Sequence, residues 1–118
     1  MADPAVIFAN PTGVIRYWNS GMTDLFGFTE DDALGATLDL IVPPDYRERH
    51  WIGYRAAMNL SDGVVDHGSF NVPALHKDGH TIRLEVHLNV IHDSRGQVLG
   101  AFSAFTPDQG PSESIEPL

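Results

Sequence analysis

The chain has 118 residues, room for one domain with a modest core and one small ligand but not for a large multi-substrate cleft. Its 42% hydrophobic and 19% charged residues mark a globular composition rather than a disordered or fibrous one. Seven basic residues against sixteen acidic ones give a net charge of −9. The one basic cluster, Arg47, Arg49 and Arg55, sits among acids, so neither nucleic acid nor an anionic membrane is an expected partner. The absence of cysteine excludes disulfides, thiolate metal sites, cysteine nucleophiles and thiol-adduct photochemistry. No apolar run approaches the roughly 18 residues of a membrane span, and with no apolar leader the expected location is the cytoplasm.

Ala5 to Ala9 is a short apolar run closed by the turn Asn10-Pro11-Thr12-Gly13, and Val14 to Trp18 follows, rich in β-branched and aromatic residues. Together they predict a hairpin. Asn19 or Ser20 supplies a cap for a short helix that presents Met22, Leu25 and Phe26 on one side and closes at Gly27. Thr29, with a carboxylate three residues on, starts a second short helix ending at Gly35. Leu38 to Val42 is a brief apolar turn before Pro43-Pro44. Residues 45–59 carry helical spacing, with Tyr46, His50, Tyr54 and Ala57 on one face and Pro44 suited to the first turn.

Phe70 to Leu75 is a strand candidate, followed by the tight Asp78-Gly79 turn. Ile82, Leu84, Val86, Leu88 and Val90 then alternate with polar residues, which defines a half-buried antiparallel strand. Asp93-Ser94-Arg95-Gly96 turns the chain, and Val98 to Phe105 returns as the last strand. Two strands, four helical pieces and three strands predict an α+β fold, a five-stranded antiparallel sheet with helices packed on one face. Residues 1–106 form the single expected domain. Residues 107–118 hold three prolines, three acids and no basic residue, and read as a disordered tail or linker stub.

Gly13-Val14-Ile15-Arg16-Tyr17-Trp18-Asn19, Leu25-Phe26-Gly27-Phe28, Ala33-Leu34-Gly35, the Lys77-Asp78-Gly79-His80 turn and Gly96-Gln97-Val98-Leu99-Gly100 follow one another in the order and spacing of the PAS domain. The chain resembles that family over residues 5–106. The resemblance implies a sensor or protein-interaction module that holds a small ligand between the sheet and a central helix. The fold alone does not choose the ligand, because PAS domains hold flavin, heme, other chromophores, small acids or nothing. Covalent flavin chemistry is excluded by the missing cysteine, and non-covalent flavin stays open.

His50, in Arg47-Glu48-Arg49-His50, lies on the inward face of the central helix. Heme-binding PAS oxygen sensors of the FixL and direct-oxygen-sensor type carry their proximal histidine on that helix, at a fixed spacing before the Asp-Gly turn. His50 is similarly spaced from Asp78. The resemblance thus implies heme b held through His50 as the iron ligand, with Val65, Phe70, Val86 and Leu88 on the distal side. Tyr54, one turn beyond His50, is a further candidate contact. Val86 and Leu88 are also turned inward by the alternation of their own strand. Phe70 stands where these sensors have a distal arginine, and Gly68 where they have an alternative methionine ligand. Bound oxygen would lack its charged donor, which leaves carbon monoxide, nitric oxide or a redox change as expected signals and His67 or Asn71 as substitute donors.

The same residues have structural roles open to them. His50 reads also as a histidine of the core or its edge, and Tyr54 as a packing residue whose phenol needs a partner. His76 and His80 flank Lys77-Asp78-Gly79 and read as solvated hairpin residues, in a position to approach across the turn and trap a metal with Asp78. His87 and His92 are expected to be exposed. Trp18 is expected to pack in the core, and Trp51 to cover a pocket edge or a partner surface. Glu30-Asp31-Asp32 is explained by a helix N-terminus, where negative charge is stabilising. With no nucleophile elbow, phosphate loop or inward carboxylate pair, an enzyme is not expected. The expected function is a PAS sensory domain that binds heme b and a diatomic gas or redox signal, relays the change to a protein partner or attached output domain, and forms a homodimer. The alternatives are a ligand-free interaction and dimerisation module, and a PAS domain with non-covalent flavin or a small organic ligand.

Overall fold

The computed structural model describes residues 4–59 and 65–107, with backbone alone at residues 65–67. Strand β1 (Ala5–Ala9) alternates buried and half-buried side chains and pairs antiparallel with β2 (Ile15–Trp18), the predicted hairpin. Asn10 organises the turn between them, its Oδ1 accepting from the backbone N–H groups of Thr12 and Val14 at 3.0 and 2.9 Å. Asn19 caps α1 (Ser20–Phe26) by accepting from the Met22 N–H at 3.1 Å. Its Oδ1 accepts from the Val6 N–H as well, at 3.0 Å, which ties the start of α1 to β1.

Helix α2 (Glu30–Ala33) is a single turn held by a reciprocal capping box between Thr29 and Asp32. It stops at Ala33, short of the predicted Gly35. Two 3₁₀ turns, Leu38–Ile41 and Pro44–Tyr46, lead into the central helix α3 (Arg47–Met58). The predicted helix from residue 45 thus opens as a tighter turn, with Pro44 supplying the fixed φ of a first helical position.

Strands β3 (Val65–Leu75), β4 (Thr81–His92) and β5 (Val98–Pro107) complete one antiparallel sheet in the order β2-β1-β5-β4-β3. Helices α1, α2 and α3 pack on one face of it. Strand β3 begins at Val65 rather than at Phe70. The pairing with β4 shifts register between Asp66 and Ser69, where Gly68 adopts φ 74°, a bulge conformation that non-glycine residues adopt only with strain. Pro73, which cannot donate to a ladder, sits on this edge strand as the rule for strand prolines requires. Strand β5 runs one residue past the expected domain edge at 106. The remainder of the predicted tail, 108–118, lies outside the described residues.

Trp18, Met22, Phe26, Ile15, Leu84 and Val90 are fully buried. Each such side chain contributes roughly 1.5–3 kcal/mol of apolar burial. The Trp18 indole N–H donates to the Thr23 hydroxyl and the Phe28 carbonyl, both at 3.1 Å, so its polar edge is satisfied inside the core. Phe26 stands edge-on to Phe105 of β5, centroids 5.5 Å apart. Among the described residues no helix is long and apolar enough to cross a membrane.

Candidate functional site

A cavity of about 810 Å³ lies between α3 and the sheet. The residues around it explain why it is open. Helix α3 presents Gly53, Ala56 and Ala57 to it, and the sheet presents Ala74 and Ser103. Small side chains on both walls leave a gap that leucines or phenylalanines would fill. Phe70, Asn71, Val72, Pro73 and Ala74 all border it. Consecutive strand residues face opposite sides, so the cavity reaches around the edge of β3.

His50, Tyr54, Phe70, Val86 and Leu88 all border this one cavity. Phe70 is 43% exposed and stands at the mouth rather than in the interior. The side chain of Val65, and that of His67, lie outside the described residues. Gly68, at the position of the alternative methionine, is the bulge glycine of β3.

His50 is half-buried, and its ring stacks on Tyr54 with centroids 5.8 Å apart and meets Trp51 edge-on at 4.8 Å. Its Nδ1 is closed to water and has no hydrogen-bond partner, which leaves Nε2 as the nitrogen available to a molecule in the cavity. Burial lowers the His50 pKa below its ordinary 6.5, with nearby Asp39 pushing the other way. The ring is therefore neutral at pH 7.

Tyr54 is buried and does not offer its hydroxyl to the cavity. The phenol reaches the Asn10 carbonyl at 2.7 Å and the Ala9 carbonyl at 3.3 Å, which pins α3 to the end of β1. Burial pushes its pKa up to about 12. Trp51 does not border this cavity but lines the edge of a smaller pocket, with Pro11, Thr12, Thr37 and Arg55. Its indole N–H donates to Asp39 at 2.7 Å, and its six-membered ring occupies the place where a side chain at position 13 would begin. Only glycine, at φ 85°, fits there.

The two charged bordering residues escaped the sequence reading. Arg49 was visible only as part of a basic cluster among acids, and Arg83 occupies a polar position of β4, paired with Pro73 on the edge strand. Both border the cavity, where it passes the sheet edge, and the Arg49 guanidinium lies 4.9 Å over the Tyr46 ring. No carboxylate among the described residues borders it. The signal present in the sequence was Gly53, one turn beyond Arg49, a small residue that leaves room on that side of the helix while Tyr46 packs on the other.

The remaining histidines divide. His87 and His92, expected to be exposed, are half-buried, and the His87 Nδ1 lies 2.9 Å from the Ser69 hydroxyl. His87 has pairing neighbours on both sides, Ser69 and Ala104, whereas His92 pairs with Val98 of β5. His76 and His80 do meet across the β3–β4 turn, rings stacked with centroids 4.7 Å apart. Glu30, Asp31 and Asp32 occupy the first turn of α2, as the helix-terminus reading has it.

A solved PAS domain of a protein from Colwellia psychrerythraea is similar in fold, with a TM-score of 0.76 at 24% identity, covering 89% of this chain and 86% of that one. A light-oxygen-voltage domain, solved in work on a flavin analogue, has a TM-score of 0.71 at 16% identity over 93% of this chain and 81% of its own. An uncharacterized protein of Azorhizobium caulinodans is 30% identical over 105 residues, 88% of this chain. The chain spans 14% of that relative's length. Residues 1–107 match the family model of the PAS fold, and with the sheet order and helical face described above the chain belongs to the PAS family.

Proposed function

We propose that this chain is a PAS sensory module whose cavity takes a small, flat, largely apolar molecule bearing an anionic group. The charge of the cavity border carries this proposal. In a chain of net charge −9, the charged side chains among the described bordering residues are two arginines, Arg49 and Arg83, beside a neutral His50. An anionic group at such a rim gains charge-assisted hydrogen bonds. The apolar walls gain roughly 25 cal/mol for each Å² of ligand surface they take from water.

Heme b is the first specific candidate, on account of His50. A neutral imidazole is the form that binds iron, and burial keeps His50 neutral. In this reading His50 would hold the iron through Nε2, Arg49 and Arg83 would meet the propionates, and the heme would supply a site for a diatomic ligand or a redox change. Metal-bound histidines nearly always donate their second N–H to an acceptor. The His50 Nδ1 has none, so the bond is expected to be weak and displaceable by free imidazole. Phe70, Val86 and Leu88 would offer bound oxygen no hydrogen bond, which leaves Asn71 at the cavity border as the substitute donor and otherwise favours carbon monoxide or nitric oxide. Non-covalent flavin is the second reading, supported by the likeness to the light-oxygen-voltage fold and by arginines suited to a phosphate. In either case the change passes to a partner protein or an attached output domain, the module acting as a non-catalytic cytoplasmic homodimer.

The test is an absorption spectrum of the purified protein before and after hemin, for the parent chain and for His50→Ala. A Soret band that the substitution abolishes or shifts is the expected result. Uptake of hemin equal in both proteins removes His50 as the ligand. A flavin spectrum in the purified protein moves the assignment to the second reading. Binding of an anionic ligand that Arg49→Gln and Arg83→Gln leave unchanged would sink the role of the rim.

A further inference from the structure

The tip of the β3–β4 hairpin carries a second constellation, and none of residues 76–80 borders the cavity. The His76 N–H donates to the His80 carbonyl at 2.9 Å, which closes the turn and brings the two imidazoles face to face at 22°. Asp78 folds its carboxylate back between them. Its Oδ1 accepts from the His80 backbone N–H at 3.1 Å, lies 3.2 Å from Nδ1 of His76, and makes a short hydrogen bond with Nδ1 of His80. One donor atom from each of the three residues lies within 4.8 Å of the other two.

One contact in this group is an acceptor facing an acceptor. Nδ1 of His76 accepts from the Asp78 backbone N–H at 3.1 Å, so it carries a lone pair. The same nitrogen faces Asp78 Oδ1, a carboxylate oxygen. That oxygen already accepts from the His80 backbone N–H, so it too presents lone pairs. Two lone pairs at 3.2 Å repel unless a positive charge lies between them. Two imidazole nitrogens and one carboxylate oxygen match the preference of borderline transition ions, rather than the all-oxygen shells of calcium and magnesium.

We propose that His76, Asp78 and His80 form a binding site for a divalent transition-metal ion of the zinc, nickel or copper class. Three protein ligands leave a coordination position open to water. Ligation replaces the bond that His76 Nδ1 accepts from the Asp78 N–H and the one between His80 Nδ1 and Asp78, the His80 proton moving to Nε2, which keeps the affinity modest. The ion would join β3 to β4 just beyond Ala74 and Arg83, the bordering residues nearest the turn, and so stiffen one wall of the cavity from outside it. The site does not depend on what the cavity holds.

The test uses the untagged chain and Zn²⁺ alone, followed by calorimetry and by NMR of the imidazole side chains. The expected result is one bound equivalent, shifts at His76 and His80 but not at His87, and a thermal midpoint that rises with zinc concentration. His76→Ala and His80→Ala each weaken binding by roughly ten-fold or more. Asp78→Asn, which retains an oxygen for the His80 N–H and so preserves the turn, weakens it also. Lys77→Ala leaves it unchanged. Failure to bind zinc below millimolar concentration overturns the site. Binding that survives the double replacement of His76 and His80 overturns it too, and the histidine whose resonance then shifts marks the true ligand.

Discussion

Tyr54 shows how one side chain on α3 serves the frame of the site rather than its occupant. Its ring stacks on His50 and forms part of the cavity wall, while its hydroxyl is committed to the carbonyls of Asn10 and Ala9. That bond fixes the distance between the central helix and the N-terminal hairpin, and so the width of the cavity at His50. Removing the hydroxyl alone costs both carbonyls this donor in a largely buried place, the Asn10 carbonyl keeping its bond from the Gly13 N–H at 2.8 Å. Tyr54→Phe is expected to lower stability by about 1–2 kcal/mol in urea unfolding, read by tryptophan fluorescence. Trp51, which meets both His50 and Tyr54, makes the fluorescence sensitive to this corner. Stability equal to the parent would mean that the helix is held elsewhere.

At the scale of elements, α2 is too short to persist by itself, since one turn cannot repay helix nucleation. It stands because its ends are bonded outward. Asp32 accepts from the Thr29 N–H at 3.0 Å, and the Lys77 ammonium reaches its carboxylate at 3.5 Å from the β3–β4 turn. The Thr29 hydrogen bonds, with a smaller part from Lys77, hold the Asp32 carboxyl below its ordinary 3.8. A carboxyl whose folded pKa is depressed contributes stability above its unfolded value and loses it as pH falls through the folded one. Asp32→Asn should therefore unfold at lower urea than the parent at pH 7, and the two midpoints should converge in strong acid. A gap that persists in acid would assign the effect to lost shape rather than lost charge. Most of the elements were legible because their signals are local: Asn19 and Thr29 as caps, the Asp78-Gly79 turn, the alternation through β4. The start of β3 was not, because the bulge at Gly68 adds a residue to one strand and breaks the period of two that betrays a strand. Nor were Arg49 and Arg83 legible as rim residues. Polar positions on a helix and a strand look solvent-facing until the edge of the sheet is known, and the order β2-β1-β5-β4-β3 is a long-range fact.

For the molecule as a whole, the open space is the property that needs explaining. An unfilled interior forfeits packing contacts, and a chain of 118 residues has little stability in reserve. Yet the walls that meet across the cavity carry Gly53, Ala56, Ala57 and Ala74, none with more than a methyl group as side chain. A ligand that enters restores the missing contacts and stabilises the fold by mass action. The stability forfeited by the empty chain then becomes the coupling between ligand and structure, because the walls concerned are the central helix and strands of the sheet. Filling the space from the protein side separates these effects. Ala57 is buried on the cavity face of α3, and Ala57→Leu adds three carbons where there is room for them. Burying them is worth roughly 0.8 kcal/mol each at most, so the empty variant is expected to melt above the empty parent. The same side chain takes the ligand's place, so the rise in melting temperature that hemin or a flavin phosphate gives the parent should shrink or vanish. A variant that is stabilised and still takes up the ligand with an unchanged shift would put the binding site outside this cavity. A variant that is destabilised would mean that the walls are closed enough in solution for three extra carbons to overfill them.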